Sequence, residues 1–470
     1  MAVQGLGRSF AGAQGSSTRR WALAVSSAAL AMTFVDETGV GVALATMRRA
    51  LHTRGSDTHW FVNGYMLALA ALVAVGGRLS DRFGHRRVFL AGLAGFAVGS
   101  AMSSTAPDAG FLIAARVVEG AGAAMLVPTT LALLTDAFAP EERGRAVGIY
   151  IGVASLFYVI GPLTSGALTQ FVSWRALFWV NLPACAGIAL VTVVRLPHTR
   201  SRPGREPVDV AGLIGLALAL GAIVSAAMVA PSWGWDAAGT LGLLAAGLAT
   251  LVVFVLAERA NPKPLFDLKL LAIRRFSAAA AIIFLVYFVY LGVVVFVPLF
   301  LQHEARARPF EAGAALVAAL GPIVVAAPLA GRLADRFGPR RPAIASALAS
   351  IASFTWLALA LSAHDLIALV PALVLYAFSV PMLYTISAAA SQNAAPERQR
   401  GQASGITATA AQAGAAVGVA VLGAIVVEIA GHRDYSTAGF RAAFLTCAAL
   451  GAVMAALAWM LPAHGEAARE

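Results

Sequence analysis

Fourteen stretches of this chain run for about twenty residues with almost no charge, enough for a helix to cross the roughly 30 Å of hydrocarbon in a bilayer. They fall at 21–46, 60–78, 88–106, 111–134, 146–169, 177–195, 210–230, 239–257, 276–301, 311–330, 343–362, 365–387, 403–428 and 441–461. Within hydrocarbon no water satisfies a peptide group, so only helices and closed barrels span it, and runs of this length suit helices. Hydrophobic residues make up 59% of the 470 and charged residues only 12%, half the usual charged share of a soluble domain, about 25%. A soluble globular enzyme, a disordered chain and a nucleic-acid module are thereby excluded. The expected fold class is an all-α integral membrane protein. The run at 365–387 reads as broken by Pro371 and Pro381.

Charge sets the orientation. With the N-terminus inside, 25 of the 34 Lys and Arg lie in inner loops and tails, 8 lie in outer loops, and Arg116 falls within a helix. Such a bias over short loops places the basic side in the cytoplasm, so both termini are expected there. The first outer loop, with Arg48, Arg49 and Arg54, runs against the trend. The start of the chain, with Arg8, Arg19 and Arg20 before an apolar run, could pass for a secretory signal. It lacks a convincing small-residue cleavage site and carries Asp36 and Glu37, so it reads as a retained first helix. Cys185 and Cys447 lie in apolar runs and suggest no disulfide framework.

An internal repeat organises the chain. Residues 77–87 read GRLSDRFGHRR and residues 331–341 read GRLADRFGPRR, nine identities in eleven at a spacing of 254. Both follow an even-numbered run, which implies two halves repeated in parallel about an axis along the membrane normal. Eight runs separate the copies where six-helix halves would give six, so two helices are inserted. The expected divisions are a cytoplasmic tail at 1–20, a six-helix bundle at 21–195, a loop at 196–209 and inserted helices at 210–257. A second loop at 258–275, a second six-helix bundle at 276–461 and a tail at 462–470 complete the chain. The inserted pair is expected at the periphery.

The repeated loop has its own physical reading. Gly77, Gly84, Gly331 and Gly338 permit close packing and tight turns. Asp81 and Asp335 can accept hydrogen bonds from a helix N-terminus, while Arg82, Arg86, Arg87 and Arg336 can bind opposing carboxylates or lipid phosphates. These residues are candidates for conformational gating. Further along, GVASLFYVIGPLTSG at 152–166 places Gly161–Pro162 in mid-helix, where proline removes a hydrogen bond and bends the helix.

At this point the chain resembles the major facilitator superfamily. GRLSDRFGHRR matches that family's signature between helices 2 and 3. The segment at 152–166, with Gly152, Gly161, Pro162 and Gly166, resembles its antiporter motif. SWRALFWVNLP at 173–183 looks like a signature of the fourteen-helix drug:proton antiporter branch, and VDETGVGVAL at 35–44 resembles that branch's helix 1 motif. The sequence departs at Glu37, where a small or hydroxyl residue is usual, and at Gly41, Ala45, Phe157 and Ser165. In RVVEGAG at 116–122, Glu119 replaces the usual Gln. The resemblance implies a major facilitator fold of two six-helix bundles plus two central helices, in the inner membrane, with helices 1 and 4 lining a central cavity.

Asp36, Glu37, Arg116 and Glu119 are the ionisable residues well inside apolar runs. A central charge costs about 2.5–3.5 kcal/mol on insertion scales, so each needs a partner or an aqueous cavity. Arg116 and Glu119, three residues apart, share a helix face and can pair; Asp36 and Glu37 point about 100° apart. These four are the candidates for proton coupling and for the substrate cavity, set against a static bridge between helices 1 and 4. Phe34, Tyr65, Phe157, Tyr158, Phe288 and Tyr290 are candidates for stacking on a substrate, and Gln412 for bonding to substrate or to a neighbouring helix.

The expected function is proton-coupled export of lipophilic compounds, cations among them, by alternating access. The alternative is a dedicated exporter of one endogenous product, such as a lipid, siderophore or antibiotic. No HExxH, CxxC pair or nucleotide-cradling GxxxxGK[ST] is present, so no enzyme, metal or organic cofactor is expected and an ion gradient supplies the energy. Partners are the substrate, protons and the bilayer, with no nucleic acid, and the protein is expected to be a monomer.

Overall fold

A computed structural model describes residues 2–53, 55–197, 209–261, 266–363, 366–396, 399–430 and 435–463. The first tail's side chains before residue 17, most of the loop at 196–209, part of that at 258–275 and most of the tail at 462–470 lie outside the described residues.

Among the described residues fourteen helices are long and apolar enough to cross a membrane, which makes this a multi-pass membrane protein. In chain order they are α1 (Ser17–Ala50), α2 (Trp60–Phe83), α3 (His85–Thr105), α4 (Ala109–Ala137), α5 (Glu142–Phe171), α6 (Ala176–Arg195) and α7 (Ala211–Trp233). Then come α8 (Ala238–Ala260), α9 (Arg274–His303), α10 (Pro309–Phe337), α11 (Arg340–Ala360), α12 (Ile367–Ala394), α13 (Arg400–Ala430) and α14 (Thr437–Ala458). No strand occurs among the described residues. The first helix continues back to Ala2.

Two expectations about continuity are corrected. α12 is unbroken through Pro371 and Pro381, because hydrocarbon offers the freed carbonyls no competing water and neighbouring helices hold the rest of the ladder. α10 is instead interrupted, with helices at Pro309–Leu320 and Ile323–Phe337. Pro322 caps the second piece, and the Val325 and Ala326 amides bond back to its carbonyl.

The repeated segment is also less of a loop than its composition implies. α2 ends at Phe83 and α3 starts at His85, leaving Gly84 alone between them at φ 92°. Gly338 repeats this at φ 75° between α10 and α11. The left-handed backbone explains glycine at both places. Asp81 caps nothing, being exposed and making no hydrogen bond among the described residues. Arg86 reaches backbone carbonyls, donating from Nε to Thr192 O at 3.3 Å and from Nη2 to Val193 O at 2.8 Å. It thereby ties the start of α3 to the end of α6, a favourable place for a cation. In the second half Arg340 donates from Nε to Leu461 O at 2.8 Å, just past α14.

The halves meet along three helix pairs, α1 with α9, α2 with α13 and α5 with α10. Contact is closest at the end remote from the repeated segments. A Cβ on Gly41 would lie 2.8 Å from Val294 O, and one on Gly166 would lie 2.5 Å from Pro309 O. Gln302 Nε2 donates to Val42 O at 2.7 Å across the same joint. At the opposite end Gly144, Gly148, Gly152, Gly331 and Gly401 have open space where a side chain would begin. There a cleft of about 700 Å³ separates α2 and α4 from α13, lined by Gly77, Asp81, Arg82 and Gln402 among others. The molecule is closed at one end and open at the other. α7 packs against α2 and α13, and α8 packs against α7.

Candidate functional site

At the middle of α1 and in the first half of α4 lies a buried charge cluster. Arg116 is 1% exposed, Asp36 6% and Glu119 0%. Arg116 Nη1 donates to Asp36 at 3.0 Å (Oδ1) and 2.8 Å (Oδ2), and to Glu119 Oε2 at 2.7 Å, while its Nε donates to Phe61 O at 3.0 Å. The guanidinium lies between aromatic faces, with its Cζ 4.5 Å from the Tyr65 ring centre and 5.6 Å from that of Phe178. Glu119 also accepts from the Ser100 hydroxyl, from Ser103 Oγ at 3.4 Å and from Asn181 Nδ2 at 3.5 Å. It is bound on every side. Among the described residues Asp36 has Arg116 alone, so it is the member that a small movement of α1 against α4 would release.

One guanidinium cannot neutralise two carboxylates. The cluster carries a surplus negative charge unless one carboxyl holds a proton, and a surplus charge away from water is costly. The arrangement is therefore able to exchange one proton against a change in shape.

The structure brings together three of the four residues singled out in the sequence and leaves the fourth apart. Glu37 is 6% exposed, yet among the described residues it has no hydrogen bond and no ion pair. It lies within electrostatic range of the hydroxyls of Tyr65, Tyr287 and Tyr290. Of the candidate stacking residues, Phe34, Tyr158 and Tyr290 form a continuous aromatic row. Phe34 meets Tyr158 edge-on at 5.0 Å and Tyr158 stacks on Tyr290 at 5.6 Å. Tyr65 covers Arg116, Phe288 is buried with its backbone against Gly418, and Phe157 faces outward. Gln412 Oε1 is buried without a hydrogen-bond partner among the described residues.

Gly161 lets α5 approach α1, where a Cβ would meet Thr38 Oγ1 at 2.5 Å and Val35 Cα at 3.2 Å. The same contact is reinforced by Ser165 Oγ, which donates to Gly39 O at 2.6 Å. Pro162 and Gly166 face α10 at the closed end, whereas Gly152 is exposed. Asp335, Arg336 and Gly331 sit at the open end, and Arg82 and Arg336 each lie over the next residue's phenyl ring, at 5.3 and 5.1 Å.

Sequence reasoning missed Tyr287, Tyr376 and Tyr384, which extend the aromatic row on α9 and α12. It also missed Arg340, which the 254-residue spacing from Arg86 would have found. In the sequence Phe178 and Asn181 stand out only as part of a signature; in the structure Phe178 stacks on Arg116 and Asn181 reaches Glu119. Among the described residues no group of three or more His, Cys, Asp and Glu could hold a metal ion.

A family model described as Major Facilitator Superfamily matches residues 26–211 and 279–470. The chain is 33% identical over 402 residues to the tetracenomycin C resistance and export protein of Streptomyces glaucescens, a match covering 85% of this chain and 74% of that one. It is 34% identical over 466 residues to the methylenomycin A resistance protein of Bacillus subtilis (strain 168), 97% of each chain. Among solved structures, the peptide transporter POT in complex with sulfate superposes with a TM-score of 0.71 at 15% identity over 93% of each chain. That last likeness is one of fold.

Proposed function

The chain belongs to the major facilitator superfamily and, with fourteen spans and antibiotic-resistance relatives, to its fourteen-helix drug:proton antiporter branch; from that premise we propose that it exports lipophilic small molecules in exchange for protons. The observation that carries this reading is Arg116 shared between Asp36 and Glu119 at the buried contact of α1 with α4. Glu119, held by Ser100 and Asn181 as well, keeps the guanidinium in place. Asp36 is the exchangeable partner, and its proton comes and goes as α1 moves. The excess of Lys and Arg at the end bearing the repeated segments supports a cytoplasmic location for that end. The form described here is then open to the cytoplasm and sealed outside by the close joint around Gly41 and Gly166. Rocking of the two halves about the midplane would exchange open and closed ends.

Adding a lipophilic cation to purified protein in weakly buffered detergent should release protons from the wild type and none from Asp36→Asn. Equal release by both proteins would sink the assignment of Asp36 as carrier.

A second reading rests on the relatives. One of them is a resistance and export protein for tetracenomycin C and another a resistance protein for methylenomycin A. On this reading the chain serves one such product rather than many drugs. A cargo panel decides between them, since a dedicated exporter confers resistance to a single chemotype.

A further inference from the structure

At the closed end a histidine of the first half seats in the second. His59, the residue before α2, is 1% exposed, and its ring lies against three elements of the opposite half. Phe296 of α9 meets it edge-on at 5.3 Å, and the ring of Tyr435, just before α14, lies 6.0 Å away. On α13 the contact calls for glycine, because a Cβ on Gly423 would collide with His59 Nδ1. His59 Nε2 has no hydrogen-bond partner among the described residues.

The charge around this ring is mostly positive. Arg48 of α1, one of the arginines that run against the trend of the outer loops, lies with its Cζ 5.0 Å over the Tyr435 ring. His303, at the end of α9, meets the same ring edge-on at 5.2 Å. The carboxylate beside them, Glu304, is 3.9 Å from His303 Nε2 and accepts from Thr437 Oγ1 at 2.8 Å, so it is engaged within its own half. Asp57, two residues before His59, and Glu428 of α13 are exposed. A proton on His59 therefore adds a cation to an apolar, basic joint, and a buried charge without a partner is costly. Burial, with Arg48 adding repulsion, accordingly lowers its pKa to about 4 while the end is shut. Parting of the halves wets the ring and restores the ordinary value of about 6.5.

We propose that His59 is the pH-sensitive latch of the outer gate: neutral, it seats between Phe296, Gly423 and Tyr435 and keeps that end shut; protonated, it leaves the pocket and lets the halves part. The open end binds the proton more tightly, so acid favours it. From pH 7.5 to pH 5 the open-to-closed ratio should rise roughly 30-fold. An exporter driven by protons from outside would thus open its outer end where protons are plentiful. The proposal rests on the orientation and rocking proposed above and goes beyond them, since it needs neither a cargo nor Asp36.

The test is a spin-label distance across the closed end, measured without cargo in purified full-length protein. Labels at Thr105→Cys, at the end of α3, and Leu359→Cys, near the end of α11, report one half each, with Cys185 and Cys447 replaced by alanine. In this background the protein should move to the longer distance between pH 7.5 and pH 5. His59→Gln should cut the change in ratio to under about threefold. His59→Phe, which keeps a ring but takes no proton, should stay closed at pH 5. Asp36→Asn should keep the full shift, so that failure of Asp36 as carrier and failure of this latch are distinguishable. The proposal is overturned if the parent protein shows no shift, if folded His59→Gln keeps it, or if Asp36→Asn abolishes it. Should neither His59 variant give monodisperse protein, Gly423→Ala decides. Its Cβ unseats the ring, so the end should part already at pH 7.5, and a closed end there overturns the proposal.

Discussion

The two halves of the molecule share a scaffold and differ in what they carry. Gly84 and Gly338 make the same turn, Arg82 and Arg336 lie over the same following phenyl ring, and Arg86 and Arg340 tie the third helix of each half to the end of its sixth. The membrane interior tells another story. Among the described residues, the charged side chains buried well inside the two bundles, Asp36, Glu37, Arg116 and Glu119, belong to the first half, while Arg86 and Glu258 are buried near helix ends. At the 254-residue spacing of the repeat, Asp36 corresponds to Tyr290, and the second half offers the tyrosines of α9 and α12 in place of charge. The duplicated parts hold each half together, so they stay alike. The parts facing the central space were free to diverge, one half toward charge and the other toward aromatic surface.

The largest effect that would sharpen this contrast is expected at Arg116. Arg116→Ala leaves two buried carboxylates without a cation and should cost about 3–5 kcal/mol, read as a fall in thermal unfolding temperature in detergent. A loss no greater than that of Arg86→Ala would break the contrast, because the charge cluster would then be incidental to the first half.

Next comes the joint between the halves. His59, 1% exposed at the start of α2, packs edge-on against Phe296 of α9 at 5.3 Å, and its Nε2 has no hydrogen-bond partner among the described residues. Burial, with Arg48 adding repulsion, lowers its pKa to about 4. The folded protein thus holds His59 neutral where the unfolded chain would protonate it near pH 6.5. Its contribution is fully present above that pH and is lost as the pH falls toward about 4, by roughly 3 kcal/mol in all. His59→Gln should flatten the dependence of unfolding temperature on pH in that window, and an unchanged slope would remove His59 from the joint's energetics.

The smallest effects should be the most symmetrical. Arg86→Ala and Arg340→Ala each remove charge-assisted bonds to carbonyls and should each cost about 1.5–3 kcal/mol. Thermal unfolding of the two variants should agree closely; a clear inequality would show that the halves are less equivalent in build than their repeated segments imply.

Much of this could be read before any coordinates. Fourteen spans follow from hydropathy because hydrocarbon imposes a length, and the Arg116–Glu119 pair follows from a spacing of three on one helix. Continuity at proline was misjudged both ways. Pro371 and Pro381 lie within an unbroken helix, whereas Gly321–Pro322 ends one, and the two cases differ in packing rather than in proline's own chemistry. The isolation of Glu37 was not legible. Which way it faces depends on the rotation of α1, and its surroundings come from helices some 250 residues away that join it only when the halves pack.

The arginine ties bear on the history of the chain. Arg86 and Arg340 each bind carbonyls of their own half, so each of these ties joins the third helix of a bundle to the sixth from within that bundle. A gene that duplicated such a unit would have encoded two self-sufficient bundles at once, before any contact between them had been selected. A helix added in the seam, as α7 is with α8 packed against it, leaves both ties intact, so the ancestral unit could grow by insertion without being rebuilt.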